Sequence, residues 1–461
     1  MPPRPNPELM VIGDSLPQGC RSLSVTADFC SKSWPARVAA VQGWQFDTPD
    51  FPRPVLFDLE DDILRQLDLV ALVARHSMPG FIGRLRQNLA DWVRNDKTSQ
   101  HECFDNVAVA GYRVFELYKA TAATAQATIS ARTANGTLLE QLSNSGAAEL
   151  HVAINTRFTL NPGQDPQFAN FTQLDWVRAR VPKRLVVQIG HNHGLYEVGS
   201  DAVVTSVTGG NDGEGSYFDQ WAELAKQLAE LPAGVEQVLV CLLPKLGAVA
   251  NLRPKGPERE NGYALGYEPV FSIQPNTLSG TDLAAIDQSI RDANAKIQEL
   301  VRAAAEARGT AGRIRFINTF EIFDRFDFKN SGDAIRRVLV PERPTLDNQY
   351  LDRTLFRREI VAGGFQSADG MHASAVGYAL LASEIMTVLG IAHDRGAILQ
   401  TAFDGDALLG TRSSNLDALV GILGSIRRTQ INLGINLGEA IATDQLGIGR
   451  VLAIGKSIFS R

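Results

Sequence analysis

The sequence predicts an α/β fold, a parallel sheet covered by helices on both faces. Two observations carry that reading. Five short apolar runs, rich in Val, Ile and Leu and bounded by turn residues, have the pattern of strands buried on both sides. They are Leu9–Ile12, Val107–Ala110, Leu185–Ile189, Val238–Leu243 and Ile314–Ile317. Helical patterns lie between them, clearest over Phe218–Leu231, Ala284–Arg308 and Ala373–Leu389.

The elements are unevenly spaced. Residues 16–104 separate the first two runs, far more than a crossover needs. They hold Trp34, Trp44, Phe46, Phe51, Phe57 and Trp92 and a proline-rich turn at 47–54. Segments 244–282 and 325–366 are also long and loop-like, with Gly, Pro and Asn. These stretches read as insertions covering one edge of the sheet. If segment 21–51 folds over the strand ends, its aromatics wall an acyl pocket; otherwise they form a small core of their own. The Gly-, Leu- and Ile-rich tail, 391–461, reads as two or three amphipathic helices packed on the core.

With 461 residues and 44% hydrophobic content, the chain buries a substantial core. The net charge of −6 is spread over 45 basic and 51 acidic residues. No long basic run occurs, which argues against nucleic acid or an anionic membrane surface as partner. The apolar stretches are too short for a transmembrane segment. No secretory leader is legible, so a cytoplasmic location is expected. Cys20, Cys30, Cys103 and Cys241 form no C-x-x-C pair and read as free thiols.

In open α/β sheets, ligands bind beyond the carboxyl ends of the strands. After the first run stands Gly13-Asp14-Ser15, after the second Gly111, and after the third Gly190-His191-Asn192. Asp369-Gly370-Met371-His372 precedes the helix near the C-terminus. Together they supply the groups needed for acyl transfer. Ser15 is a weak nucleophile until a base takes its proton. His372 has the pKa range for that base, and Asp369 can fix its tautomer. The N–H groups of Ser15 and Gly111 and the amide of Asn192 would stabilise the oxyanion. Gly111 and Gly190 permit positive φ or close approach.

Gly-Asp-Ser-Leu near the start, a strand ending in Gly, then Gly-x-Asn, then Asp-x-x-His before a late helix, resembles the SGNH/GDSL hydrolase family in residues and in order. The resemblance covers residues 8–20, 104–115, 184–194 and 366–390. It implies a three-layer α/β/α flavodoxin-like fold with about five parallel strands. The hydrolase domain would span 1–390, with insertions at about 16–104, 195–217, 244–282 and 325–366, followed by a C-terminal helical extension at 391–461. It implies hydrolysis of carboxylic esters of small molecules or lipids, without metal or cofactor. The catalytic residues would be Ser15, Asp369 and His372, and the oxyanion hole Ser15, Gly111 and Asn192.

The chain departs from the family at His193, where Asp is common. A second Gly-Gly-Asn-Asp, in TGGNDGEG at 208–215, makes Asn211 an alternative to Asn192. Asn192 is preferred because LVVQIG before it is a compact apolar strand, whereas AVVTSVT is broken by Thr and Ser. The same triad would serve an acyltransferase, and a catalytically silent binding protein could keep the motif. A nucleotide site is disfavoured because G-D-S-L-P-Q-G lacks a phosphate-cradling glycine pattern. His191 and His193 have no completing Cys or Glu and do not suggest a metal. The acidic residues Asp58, Glu60, Asp61 and Asp62 read as a solvated face or helix start. FDGDAL at 403–408 has no third ligand for a metal. His76, His101, His151 and His393 read as packing or surface histidines.

Overall fold

The computed structural model describes residues 5–58, 60, 87–95, 98–134, 146–204, 206–209, 213–258, 262–269, 276–327, 338–339, 345–346, 365–367 and 369–405. In chain order the strands are β1 (Leu9–Gly13), β2 (Arg184–Gln188), β3 (Gln237–Cys241), β4 (Leu252–Glu258), β5 (Ala264–Pro269), β6 (Leu278–Ser279) and β7 (Ile314–Ile317). A further short pair joins Val338–Leu339 to Thr345–Leu346.

The main sheet is parallel, in the order β1-β2-β3-β7. Its register aligns Gly13, Gln188, Cys241 and Ile317 in one row. All four chains therefore leave the sheet along the same edge. Alternate side chains face opposite sides. Met10, Ile12, Leu185, Val187, Val238 and Val240 enter one core, with helices Gln173–Arg180, Tyr217–Ala229 and Gly280–Ala307. Leu9, Val11, Val186, Leu239, Cys241 and Ile317 enter the other, with helices Trp34–Val41, Thr319–Arg325 and Ala375–Val388. Continuous apolar strands follow from this double burial.

The run at 107–110 differs from its expectation. It is no regular strand, although residues 105–109 lie extended along the free edge of β1. Val11 N–H donates to Asp105 O (2.8 Å), Val107 N–H to Val11 O (2.9 Å) and Val109 N–H to Gly13 O (3.0 Å). Its other donors go elsewhere: Asp105 and Asn106 N–H to Asp47 O (2.7 and 3.2 Å), Ala108 N–H to Asn106 Oδ1 (3.2 Å) and, just beyond, Ala110 N–H to Gln18 Oε1 (2.8 Å). Local side-chain bonds of this kind divert backbone from a ladder.

Segment 244–282 also differs from a loop. It carries the antiparallel sheet β4-β5-β6, and Leu252, Ala264, Tyr267 and Leu278 join the first core. Most of 325–366 lies outside the described residues. In the tail, helix Arg395–Asp404 packs Leu399, Ala402 and Phe403 into the second core, and residues 406–461 lie outside the description.

The break at Gly13 has a steric cause. Its φ is +148°, and a Cβ there would stand 2.0 Å from the Gln188 carbonyl oxygen. The Gln173 amide brackets it, accepting from Gly13 N–H (2.8 Å) and donating to Gly13 O (3.2 Å). Only glycine lets β1 end this close to β2. Gly13→Ala is expected to destabilise the fold by about 3 kcal/mol; an unchanged thermal midpoint would contradict this packing.

Candidate active site

Ser15 and Asn192, from the loops after β1 and β2, and His372, from the loop before helix Ala375–Val388, border one cavity. Directly after β1, Asp14 caps the short helix Ser15–Gln18, its Oδ1 accepting from Leu16 N–H (3.4 Å). Ser15 occupies the first helical position, where an N–H has no intrahelical partner. Ser15, Leu16, His191, Asn192, Leu195, Tyr196, Pro244, Leu246, Val249, Phe323, Met371 and His372 are among the residues lining one cavity. A larger cavity between Arg302, Glu306, Ile314, Arg315 and Leu389 brings together no nucleophile and base.

Asp369 orients His372. Its Oδ2 lies 2.7 Å from His372 Nδ1 and also accepts from Leu23 N–H (2.8 Å). Its Oδ1 accepts from the N–H groups of Met371 and His372 (2.8 Å each) and from the Ser367 hydroxyl (3.2 Å). Burial pushes the Asp369 pKa up. The imidazole and the two backbone N–H groups outweigh that and hold it below the ordinary carboxylate range. Burial pushes His372 down, but the Cys20 thiol and the Asp369 carboxylate beside it raise its pKa well above the usual histidine value. Burial also pushes the Cys20 thiol up, so it stays uncharged near neutrality and Asp369 carries the effect.

Asn192 is held on the opposite wall. Its Nδ2 donates to Tyr112 O (3.0 Å), and Arg113 Nε donates to Asn192 O (3.3 Å). A primary amide has two N–H donors; the second meets no acceptor among the described residues. The same holds for the backbone N–H groups of Ser15 and Gly111. Gly111, at φ +92°, precedes Tyr112 but does not itself line the cavity. Gly190 has φ +111°. The Ser15 hydroxyl makes no hydrogen bond among the described residues, although it and His372 face the same cavity. His193 lies edge-on to Tyr217 (4.7 Å between centroids) and accepts from Val114 N–H (3.4 Å). Asn211 lies outside the described residues.

Several readings of single residues change. Phe51 belongs to the first core and Trp34 to the second, with Trp44 and Phe46 packed against the latter; none of them lines the cavity. These four aromatics thus pack in or against the cores, and the apolar wall comes instead from 195–199, 244–249, Phe323 and Met371. Glu60 is no solvated acid: it is fully buried and pairs with Arg21 Nε (2.7 Å) and the Ser22 hydroxyl (2.6 Å). Asp61, Asp62 and His76 lie outside the described residues. His393 packs between Ser383 Oγ and Ile391 O, 2.8 Å from each. The four cysteines are free and buried. Among the described residues, no group of three or more His, Cys, Asp or Glu could hold a metal, and no helix is long and apolar enough to cross a membrane.

Sequence reading missed the buried cluster behind the cavity. Lys245 lines it and pairs with Asp324 (2.5 Å) and Asp327 (2.8 Å). Asp287 holds the same loop, accepting from Gly247 N–H (3.0 Å) and the Tyr263 hydroxyl (2.9 Å). These residues come from separate segments, with no shared motif to reveal them. Burial, only partly offset by Lys245, raises the Asp287 pKa to about 6.

An acid whose pKa is raised by folding opposes folding once ionised. The penalty is absent below about pH 4 and complete above about pH 6. Asp287→Asn removes it and keeps an acceptor for Gly247. Its stability relative to wild type should therefore improve by about 2–3 kcal/mol between pH 4 and pH 8. Urea melts at the two pH values check this; a pH-independent difference would contradict it. Comparison of the chain with protein-family models, with curated proteins and with solved structures finds no match.

Proposed function

We propose that the protein is a serine ester hydrolase of the SGNH/GDSL type, using Ser15, His372 and Asp369. The observation that carries this reading is the convergence of three separate loops on one cavity. They bring a serine, an amide with a spare donor and an imidazole aligned by a buried carboxylate. The sheet order supports it. Counting the 105–109 segment as the second strand gives 2-1-3-4-5, the order of flavodoxin-like doubly wound sheets.

In this mechanism Ser15 Oγ attacks the ester carbonyl while His372 Nε2 takes its proton. The Asp369 carboxylate stabilises the imidazolium. Negative charge on the former carbonyl oxygen is met by the Ser15 N–H and the Asn192 amide, the expected donors that line the cavity. Collapse breaks the bond to the alkoxy group, which receives the proton from His372. Water then attacks the acyl-serine with the same base and restores Ser15.

The cavity is narrow. About 70 Å³ is open to the centres of water-sized spheres, roughly five to seven water positions. With its apolar wall it suits a short acyl group. Among p-nitrophenyl esters, acetyl and butyryl should therefore be cleaved faster than lauroyl; a lauroyl optimum would contradict this cavity.

Ser15→Ala should lower kcat by about 10⁴-fold or more, and Asn192→Ala by about 10²–10³-fold. Folded wild type that cleaves no ester in the panel and takes up no fluorophosphonate would overturn the proposal. His372 must be neutral to act as base, and its pKa is raised. The acid limb of kcat/KM should thus lie above about pH 6.5, the ordinary histidine value. In Asp369→Asn the limb should move to lower pH as activity falls; a limb that stays in place would remove Asp369 from its role.

A further inference from the structure

A second imidazole–carboxylate pair borders the same cavity. His191 Nδ1 lies 2.6 Å from Asp14 Oδ2, and Asp14 is wholly buried. Asp14 immediately precedes Ser15, and its other oxygen caps the helix that Ser15 begins. His191 immediately precedes Asn192. Among the described residues this is the one side-chain hydrogen bond that joins the loop of the nucleophile to the loop of the amide. Asn192 is fixed from its other side by Tyr112 O and Arg113. Without the pair, a buried carboxylate would lose its only side-chain donor among the described residues, an arrangement that favours reorganisation of the turn.

We propose that His191 is a positioning residue: through Asp14 it sets the separation of Ser15 and Asn192. This rests on the hydrolase reading above. The Nδ1–H donates to Asp14 whether the imidazole is neutral or charged, so positioning needs the donor and no proton exchange. Asparagine places an N–H near the Nδ1 position of histidine. Glutamine and phenylalanine do not.

The experiment compares wild type with His191→Asn, His191→Gln and His191→Phe, all checked for folding by thermal melt. On p-nitrophenyl acetate, His191→Phe and His191→Gln should lose about 10²-fold in kcat with KM little changed, as expected for a misplacement near 1 Å. His191→Asn should recover most of the loss, with the limbs of its pH profile at the wild-type positions. Failure of His191→Asn to recover, or an acid limb that moves with it, would overturn positioning and point to proton transfer by His191 itself.

A second readout does not depend on turnover. The Asn192 side-chain amide resonance, assigned by its loss in Asn192→Asp, should shift in His191→Phe and return in His191→Asn. An unshifted resonance in folded His191→Phe overturns the proposal even if no ester is cleaved. Inactive wild type with a shifted and restored resonance would sink the hydrolase reading alone.

Discussion

The Asp369 carboxylate organises the site and much of what surrounds it. Removing a carboxylate from water is costly unless donors replace the lost hydration. Asp369 recovers that loss by taking backbone N–H groups from its own loop, the Ser367 hydroxyl, the His372 ring and Leu23 N–H. The last contact reaches into the segment after the nucleophile helix. There Ser22 and Leu23 adopt left-handed backbone, with φ +49° and +58°. Such strain persists only where surrounding structure holds it. The Ser22 N–H bond to Ser367 (2.9 Å) and the buried Arg21–Glu60 pair supply that hold. Segment 16–104 therefore steadies the Asp369–His372 pair by aiming a backbone donor at it, while its Trp34, Phe51, Phe57 and Trp92 stay in the cores.

The later insertion acts in a parallel way. Asn251 donates from its side chain to Gly199 O (2.7 Å) and from its backbone to Gly370 O (2.9 Å). It ties helix Leu195–Asp201, which walls the cavity, to the loop that carries His372. The Lys245–Asp324–Asp327 group and Asp287 fix the next stretch of wall. In a sheet whose strands all end on one edge, loops that each extend a few residues toward the same cavity need such cross-ties. Buried charge and amide bridges give the direction that apolar contact lacks.

How legible this was follows from the range of each interaction. The runs of β1, β2 and β3 differ from the strands by one or two residues at an end, because burial on both faces leaves a continuous apolar signature; the run at 314–317 has the bounds of β7, an edge strand with Arg315 exposed. Ser15 and Asn192 stand out as candidates because each closely follows an apolar strand run, and Asp369 and His372 because they stand together just before a helix; that Ser15, Asn192 and His372 border one cavity is a property of the fold. The irregular edge at 105–109 was not legible: its backbone is diverted by Asn106 and Gln18, and Gln18 lies 92 residues from Ala110. Glu60 looked solvated because its partner Arg21 is 39 residues away. Segment 244–282 looked loop-like because Gly and Pro punctuate β4 and β5. The Asp14–His191 contact spans 177 residues. Each member stood beside an expected site residue, but only the fold brings them together.

Those long-range contacts also explain why the site keeps donors unspent. Buried N–H groups are nearly always paired, and an unmet one costs about 1–3 kcal/mol. The second Asn192 donor and the Ser15 and Gly111 N–H groups could be satisfied by small rearrangements of flexible loops. Here each loop is pinned from behind: Asn192 by Tyr112 O, the Ser15 turn by Asp14 and by the bond from Cys20 N–H to Ser15 O (3.0 Å), and residue 110 by Gln18. Pinning prevents the donors from turning to acceptors of the protein itself. In the proposed hydrolase they would remain available to a charge that develops only during reaction, the condition under which preorganised dipoles accelerate it. The cost is borne by the rest of the fold, whose two cores, one on each face of the sheet, make the rigid loops affordable.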